Sequence, residues 1–283
     1  MLQNIWVLLI GIALGVFYSF FPAKFEMPIY YILIIGLIFP GIPHGALDNY
    51  LLKKPLNTFY EKTTFYSLYI GLMALILFTW LLSPLLGLTV FLICSSWHFG
   101  QTDNLAFGIK NPFLHLLNGG LVLSYILLSH SAETYNYLSL LSIELPPLNQ
   151  TFAISISAVI LLTLTLVLFM SKKTQKQDVL IYIGILIVSS TLPLIAGFGL
   201  YFIGVHSING WQAIQKGLKL SHFQLLKKAS LFSLLAYLFI AGFLWLYEGE
   251  LILNNQTIAL FFIALSCISI PHIILMHYFY GHK

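Results

Sequence analysis

The sequence predicts an all-α fold, a polytopic transmembrane helical bundle of about 8–10 helices, each able to span a bilayer core of about 20 residues. Three observations carry this. The chain of 283 residues is 59% hydrophobic and 8% charged, too few polar groups to solvate a water-soluble domain of that length. Apolar runs recur from end to end, leaving no room for a separate soluble domain, so residues 1–283 read as one membrane domain. The polar breaks between runs collect the lysines.

Ten runs follow in order. The first, 4–20, lacks a basic leading region and a small-residue cleavage site, so it reads as a retained helix rather than a signal peptide. The second, 28–43, ends in Pro40-Gly41-Ile42-Pro43, where missing amide donors and flexible backbone break regular helix. The third is 63–82. The fourth, 86–100, is the shortest and carries Ser95, Ser96 and His98. The fifth and sixth are 112–130 and 151–170, separated by polar sequence with Glu133 and Glu144. The seventh, 179–196, and eighth, 199–215, follow closely on one another, and 229–247 and 257–280 complete the set.

Lysine placement orients these spans. Lys53, Lys54 and Lys62 follow the second, Lys110 the fourth, Lys172, Lys173 and Lys176 the sixth, and Lys216, Lys219, Lys227 and Lys228 the eighth. The alternate breaks hold acidic or neutral groups, including Glu248 and Glu250, with Lys24 the exception. Basic loops stay cytoplasmic, which predicts a multi-pass protein of the cell (inner, cytoplasmic) membrane with both termini in the cytoplasm. The net charge of +4 comes from 13 lysines scattered through these loops, a pattern that sets topology rather than binds nucleic acid. Cys94 and Cys267 lie in apolar runs and read as small hydrophobes. No phosphate-binding glycine loop, His-Glu-x-x-His motif or Gly-x-Ser-x-Gly motif occurs, so nucleotide use and hydrolysis lack support.

Nine histidines are the most informative feature, because polar groups within membrane helices are costly and face an interior, a cavity or a ligand. His44 ends the second run, His98 ends the fourth, and His206 and His272 lie inside the eighth and tenth. The predicted orientation puts all four in one leaflet. Neutral imidazoles from separate helices hold iron, zinc or copper without burying net ligand charge. Asp48 follows His44 by four residues and Asp103 follows His98 by five, so either carboxylate orients an imidazole or caps a helix end. Ser95, Ser96, Ser207 and Asn209 offer hydrogen bonds to imidazoles or serve helix packing. His115, His130, His222 and His282 sit at helix ends or in polar loops within reach of water. His277 lies five residues beyond His272, about 140° around an ideal helix, so the two do not serve one centre.

At these residues the chain resembles the Brp/Blh family of membrane β-carotene 15,15′-dioxygenases. The resemblance rests on Pro43-His44-Gly45-Ala46-Leu47-Asp48, His98-Phe99-Gly100 with Asp103, Tyr201-Phe202 leading to His206-Ser207, and Pro271-His272 with Ile274, and it covers most of the chain. It implies a non-haem Fe(2+) centre, with His44, His98 and His206 matching three family ligands. Family members carry a further histidine four residues after the third, where this sequence has Gly210 followed by Trp211. His272 is the preferred fourth ligand and His277 the alternate; three histidines and water are a further possibility. Asp48, Asp103 and Ser207 are the supporting residues.

The implied reaction is central cleavage of β-carotene by O2 to two molecules of all-trans retinal, supplied to a microbial rhodopsin. The substrate dissolves in the lipid bilayer and has no hydrogen-bonding groups, so shape and apolar contact must grip it. Trp97, Phe99, Tyr201, Phe202 and Trp211 are the candidate lining. Two other functions fit the residues: a non-catalytic carotenoid- or retinal-binding membrane protein, and a transporter whose histidines relay protons or bind an ion.

Overall fold

The computed structural model describes residues 4–171, 175–248 and 255–281; Lys172, Lys173, Glu250 and His282 lie outside these. Among the described residues the chain is helical with no strand, as the apolar runs predict. Five helices among the described residues are long and apolar enough to cross a membrane: α4 (Phe59–Leu82), α6 (Pro112–Ser129), α8 (Gln150–Met170), the His222–Leu246 part of α12 (His222–Glu248) and the Gln256–Gly281 part of α13 (Asn255–Gly281). Many of their large apolar side chains are exposed, among them Phe78 and Leu81 on α4 and Val159, Leu162 and Met170 on α8. Such outward apolar faces suit lipid rather than water.

Helix starts follow local chemistry. Thr58 caps α4, its side chain accepting from the Glu61 amide while the Glu61 carboxylate accepts from the Thr58 amide. Asn111 caps α6 ahead of Pro112, and Asn149 caps α8. α1 (Asn4–Phe20) and α2 (Pro22–Gly36) come first. The Pro-Gly-Ile-Pro stretch does not end helical backbone at once. α2 widens into a π-helical segment, Leu37–Gly41, followed by the single turn α3 (Ile42–Gly45) and a tight turn at Asp48–Tyr50. A wider turn is one way for a helix to accommodate a proline that lacks its amide.

Two expectations change. The polar stretch after α6 is not a loop: Ser131–Leu140 forms α7, with no buried residue. It stops at Ser142, whose φ of 59° is left-handed, while the Ile143 amide donates back to the Leu138 carbonyl (2.9 Å) and the Ser142 amide to Ser139 (3.0 Å). The seventh run also breaks early. α9 (Lys176–Ser189) stops before Pro193, and α10 (Leu194–Tyr201) starts just after it. Proline disfavours helical backbone at the residue before it, which sets the break. The glycine at 197 instead allows close packing: a Cβ there would strike the Ser189 carbonyl oxygen. A second π-helical segment, Phe202–Ser207, then leads into α11 (Ile208–Leu218).

The Cα trace forms two compact units that interleave in sequence. The first comprises residues 1–41, 96–136 and 145–212, and the second 42–95, 137–144 and 213–283. α5 (Pro84–Ala106) contributes its N-terminal half to the second and its C-terminal half to the first. In the first unit α6 packs on α8 and α1 on α9. There the second half of α5 crosses α6 at glycines: a Cβ on Gly100 would strike the His115 carbonyl, and one on Gly119 the Ser96 carbonyl. In the second unit α4 packs on α13 around Ile76, Trp80, Cys267, Ile270 and Ile273, joined by Ile143. The Trp80 indole donates to Ser266 Oγ at 2.8 Å, satisfying a polar group inside that core.

Candidate functional site

In the first unit, α5 carries His98 and the π-helical segment carries His206. Their rings meet edge to face with centroids 4.7 Å apart. Phe99 packs on His206 at 4.2 Å, and Phe202 stacks on it at 5.7 Å with planes 20° apart. Phe99 also meets Tyr201 at 5.8 Å and Phe202 at 5.9 Å. Of the five aromatics named from sequence, Phe99 and Phe202 therefore pack on His206 and Tyr201 packs behind Phe99, whereas half-buried Trp97 lies against His115 (6.0 Å); Trp211 is half-buried on α11.

Asp103 lies one and a half turns beyond His98 and is buried. Its Oδ2 accepts from the hydroxyls of Tyr182 (2.8 Å) and Tyr201 (2.7 Å), and its Oδ1 from Asn209 Nδ2 (3.4 Å). Ser207 Oγ donates to the Phe202 carbonyl at 2.9 Å, within the widened turn itself.

In the second unit, His44 on α3 and His272 on α13 also meet edge to face, at 4.9 Å. Asp48 Oδ1 is 2.7 Å from His272 Nδ1, and its Oδ2 accepts from the Tyr69 hydroxyl at 2.9 Å. Asp48 thus pairs with an imidazole 224 positions away in the sequence. A carboxylate at Nδ1 selects the tautomer protonated there and leaves the Nε2 lone pair for a ligand. Gly45 packs beside the His272 ring, where a Cβ would sit 3.6 Å away.

His44, His98, His206 and His272 are 5%, 3%, 1% and 5% exposed. The first three are a group of buried histidines of the kind that could hold a metal ion. His277 is exposed on α13. His222 is exposed too, but water does not account for two other helix-end histidines. His115 is buried, with Nδ1 3.3 Å from Asn104 Nδ2, and Asn104 Oδ1 accepts from Asn118. His130 is buried, with Nε2 2.9 Å from the Leu192 carbonyl oxygen and Nδ1 2.7 Å from that of Ile126, tying the end of α6 to the α9–α10 break. Tyr69 and Tyr182 escaped the sequence reading. Their only signal was a hydroxyl inside an apolar run, which membrane helices carry for many reasons.

The fold and these histidines define a multi-pass helical membrane protein with a buried, imidazole-based donor set for a metal. Residues 35–280 match the family of β-carotene 15,15′-dioxygenases, and the chain belongs to that family. It is therefore an enzyme of carotenoid cleavage. It is similar to the β-carotene 15,15′-dioxygenase of uncultured marine bacterium 66A03, at 22% identity over 251 residues, covering 86% of this chain and 91% of the relative. No solved structure matches the chain.

Proposed function

We propose that this chain cleaves β-carotene at its central 15,15′ double bond with O2, releasing two molecules of retinal, and that His44, His98, His206 and His272 hold the ferrous iron it uses. The observation that carries the reading is the burial of these four imidazoles as two edge-to-face pairs in a chain of this family. The donor chemistry fits: neutral imidazoles suit Fe(2+), and the nearby carboxylates Asp48 and Asp103 are engaged by other side chains. His272 supplies the fourth nitrogen, which its Asp48 partner favours. His277 is left out because its side chain is exposed.

Held by these histidines, ferrous iron would supply the activation of dioxygen. The protein's own residues hold and exclude. Phe99 and Phe202 shield the His206 ring from water and present apolar faces suited to a polyene, with Trp97 and Trp211 further along the chain. A rigid substrate without polar handles is cut where it is held, so the position of the central bond relative to the histidines determines the product. We further infer a cell-membrane location with both termini cytoplasmic, and transfer of the retinal to a rhodopsin.

The test is anaerobic Fe(2+) loading of purified protein, addition of β-carotene and O2, and chromatography for retinal, with His98→Ala alongside. Retinal from the iron-loaded parent and none from His98→Ala is expected. A folded parent that binds carotenoid and makes no product would instead be a carotenoid-binding protein; one that takes neither iron nor carotenoid would favour transport.

A further inference from the structure

We propose that Asp103 is a positioning residue whose carboxylate clamps both flanks of the π-helical segment Phe202–Ser207 and so fixes His206 against His98; this rests on the reading that these histidines bind a metal. π-helical turns are rare and occur mostly as single-turn bulges inside α-helices, frequently at functional sites. One extra residue in such a turn rotates everything after it by about 100°, so the aim of His206 depends on that turn persisting.

The supports are on either side of it. Tyr201 immediately precedes the segment and Asn209 follows it by two residues, and both donate to the Asp103 carboxylate. Ser207 closes the segment from within through its bond to the Phe202 carbonyl. Asp103 shares α5 with His98, and α5 is seated against α6 by the backbone approach at Gly100 and Gly119. One helix thus carries one imidazole and the anchor that orients the other. A buried carboxylate is costly unless its oxygens are satisfied, and the three donors meet that need.

The bland alternative is that Asp103 is a polar node of the core with no bearing on the histidines. The two tyrosines separate these ideas, because each gives one hydroxyl to the same Oδ2 but only Tyr201 adjoins the segment; Tyr182 comes from α9. The experiment is anaerobic titration of the full chain in detergent with Fe(2+), and with Co(2+) as a spectroscopic probe, beside thermal melts of the metal-free protein. Asp103→Asn and Tyr201→Phe are expected to weaken Co(2+) binding roughly 10–100-fold and to change its visible absorption. Tyr182→Phe is expected to lower the melting temperature while keeping the parental affinity and spectrum. Equal affinity losses in Tyr201→Phe and Tyr182→Phe, or parental binding by both Asp103→Asn and Tyr201→Phe, would overturn the clamp. If Asp103→Asn does not fold, Tyr201→Phe decides. A parent that binds neither metal would overturn the metal reading itself, and the clamp with it, whereas a binding parent with unaffected variants would overturn the clamp alone.

Discussion

Each buried histidine has a different partner chemistry, and that difference predicts what its loss does. Asp48 accepts from His272 Nδ1, so Asp48→Asn removes the charge that fixes the ring's tautomer. Iron affinity is expected to fall roughly 10–100-fold, read by competition with a chelator. Tyr69→Phe deletes only one neutral donor to the same carboxylate and should cost about 1 kcal/mol of stability. His130 lies between the backbone carbonyls of Ile126 and Leu192 rather than against other imidazoles. His130→Ala strands the Leu192 carbonyl and is expected to cost about 1–3 kcal/mol in a denaturation series, while iron uptake stays parental.

Helices here are placed by small residues and irregular turns. At the α5–α6 crossing a methyl group on Gly119 has no space that a side-chain rotation could free, because the atom it meets is the Ser96 backbone carbonyl. Gly119→Ala must therefore part the helices, a change expected to cost at least about 1–3 kcal/mol in thermal or chemical denaturation. Gly242→Ala on α12, where nothing lies within 4 Å, should leave stability unchanged or slightly raised. These elements also mark what was legible in sequence. The apolar run 4–20 is α1 and ends where predicted, at Phe20, because hydropathy along it is uninterrupted. The α9–α10 break falls at Pro193 rather than between 196 and 199, because the apolar run continues through the proline that interrupts the helix. α7 was missed because its helix buries nothing and so leaves no apolar stripe to find.

Across the described residues, outward apolar faces support a multi-pass protein, and the lysine-rich breaks carry the orientation proposed for it. A reporter fused to the C-terminus is expected to be active as a cytoplasmic fluorescent protein and inactive as a phosphatase that requires export. The reverse result would invert the proposed orientation.

Membrane class, approximate helix positions and the burial of His44, His98, His206 and His272 were all readable from the chain, because each depends on local composition or on the cost of a polar residue in an apolar run. Which imidazole meets which carboxylate was not. Asp48 binds a ring 224 positions away, and Asp103 gathers donors 79, 98 and 106 positions away. Helical periodicity says only which face a residue occupies, whereas these partners are chosen by how separate helices cross and where two turns widen into π-helix.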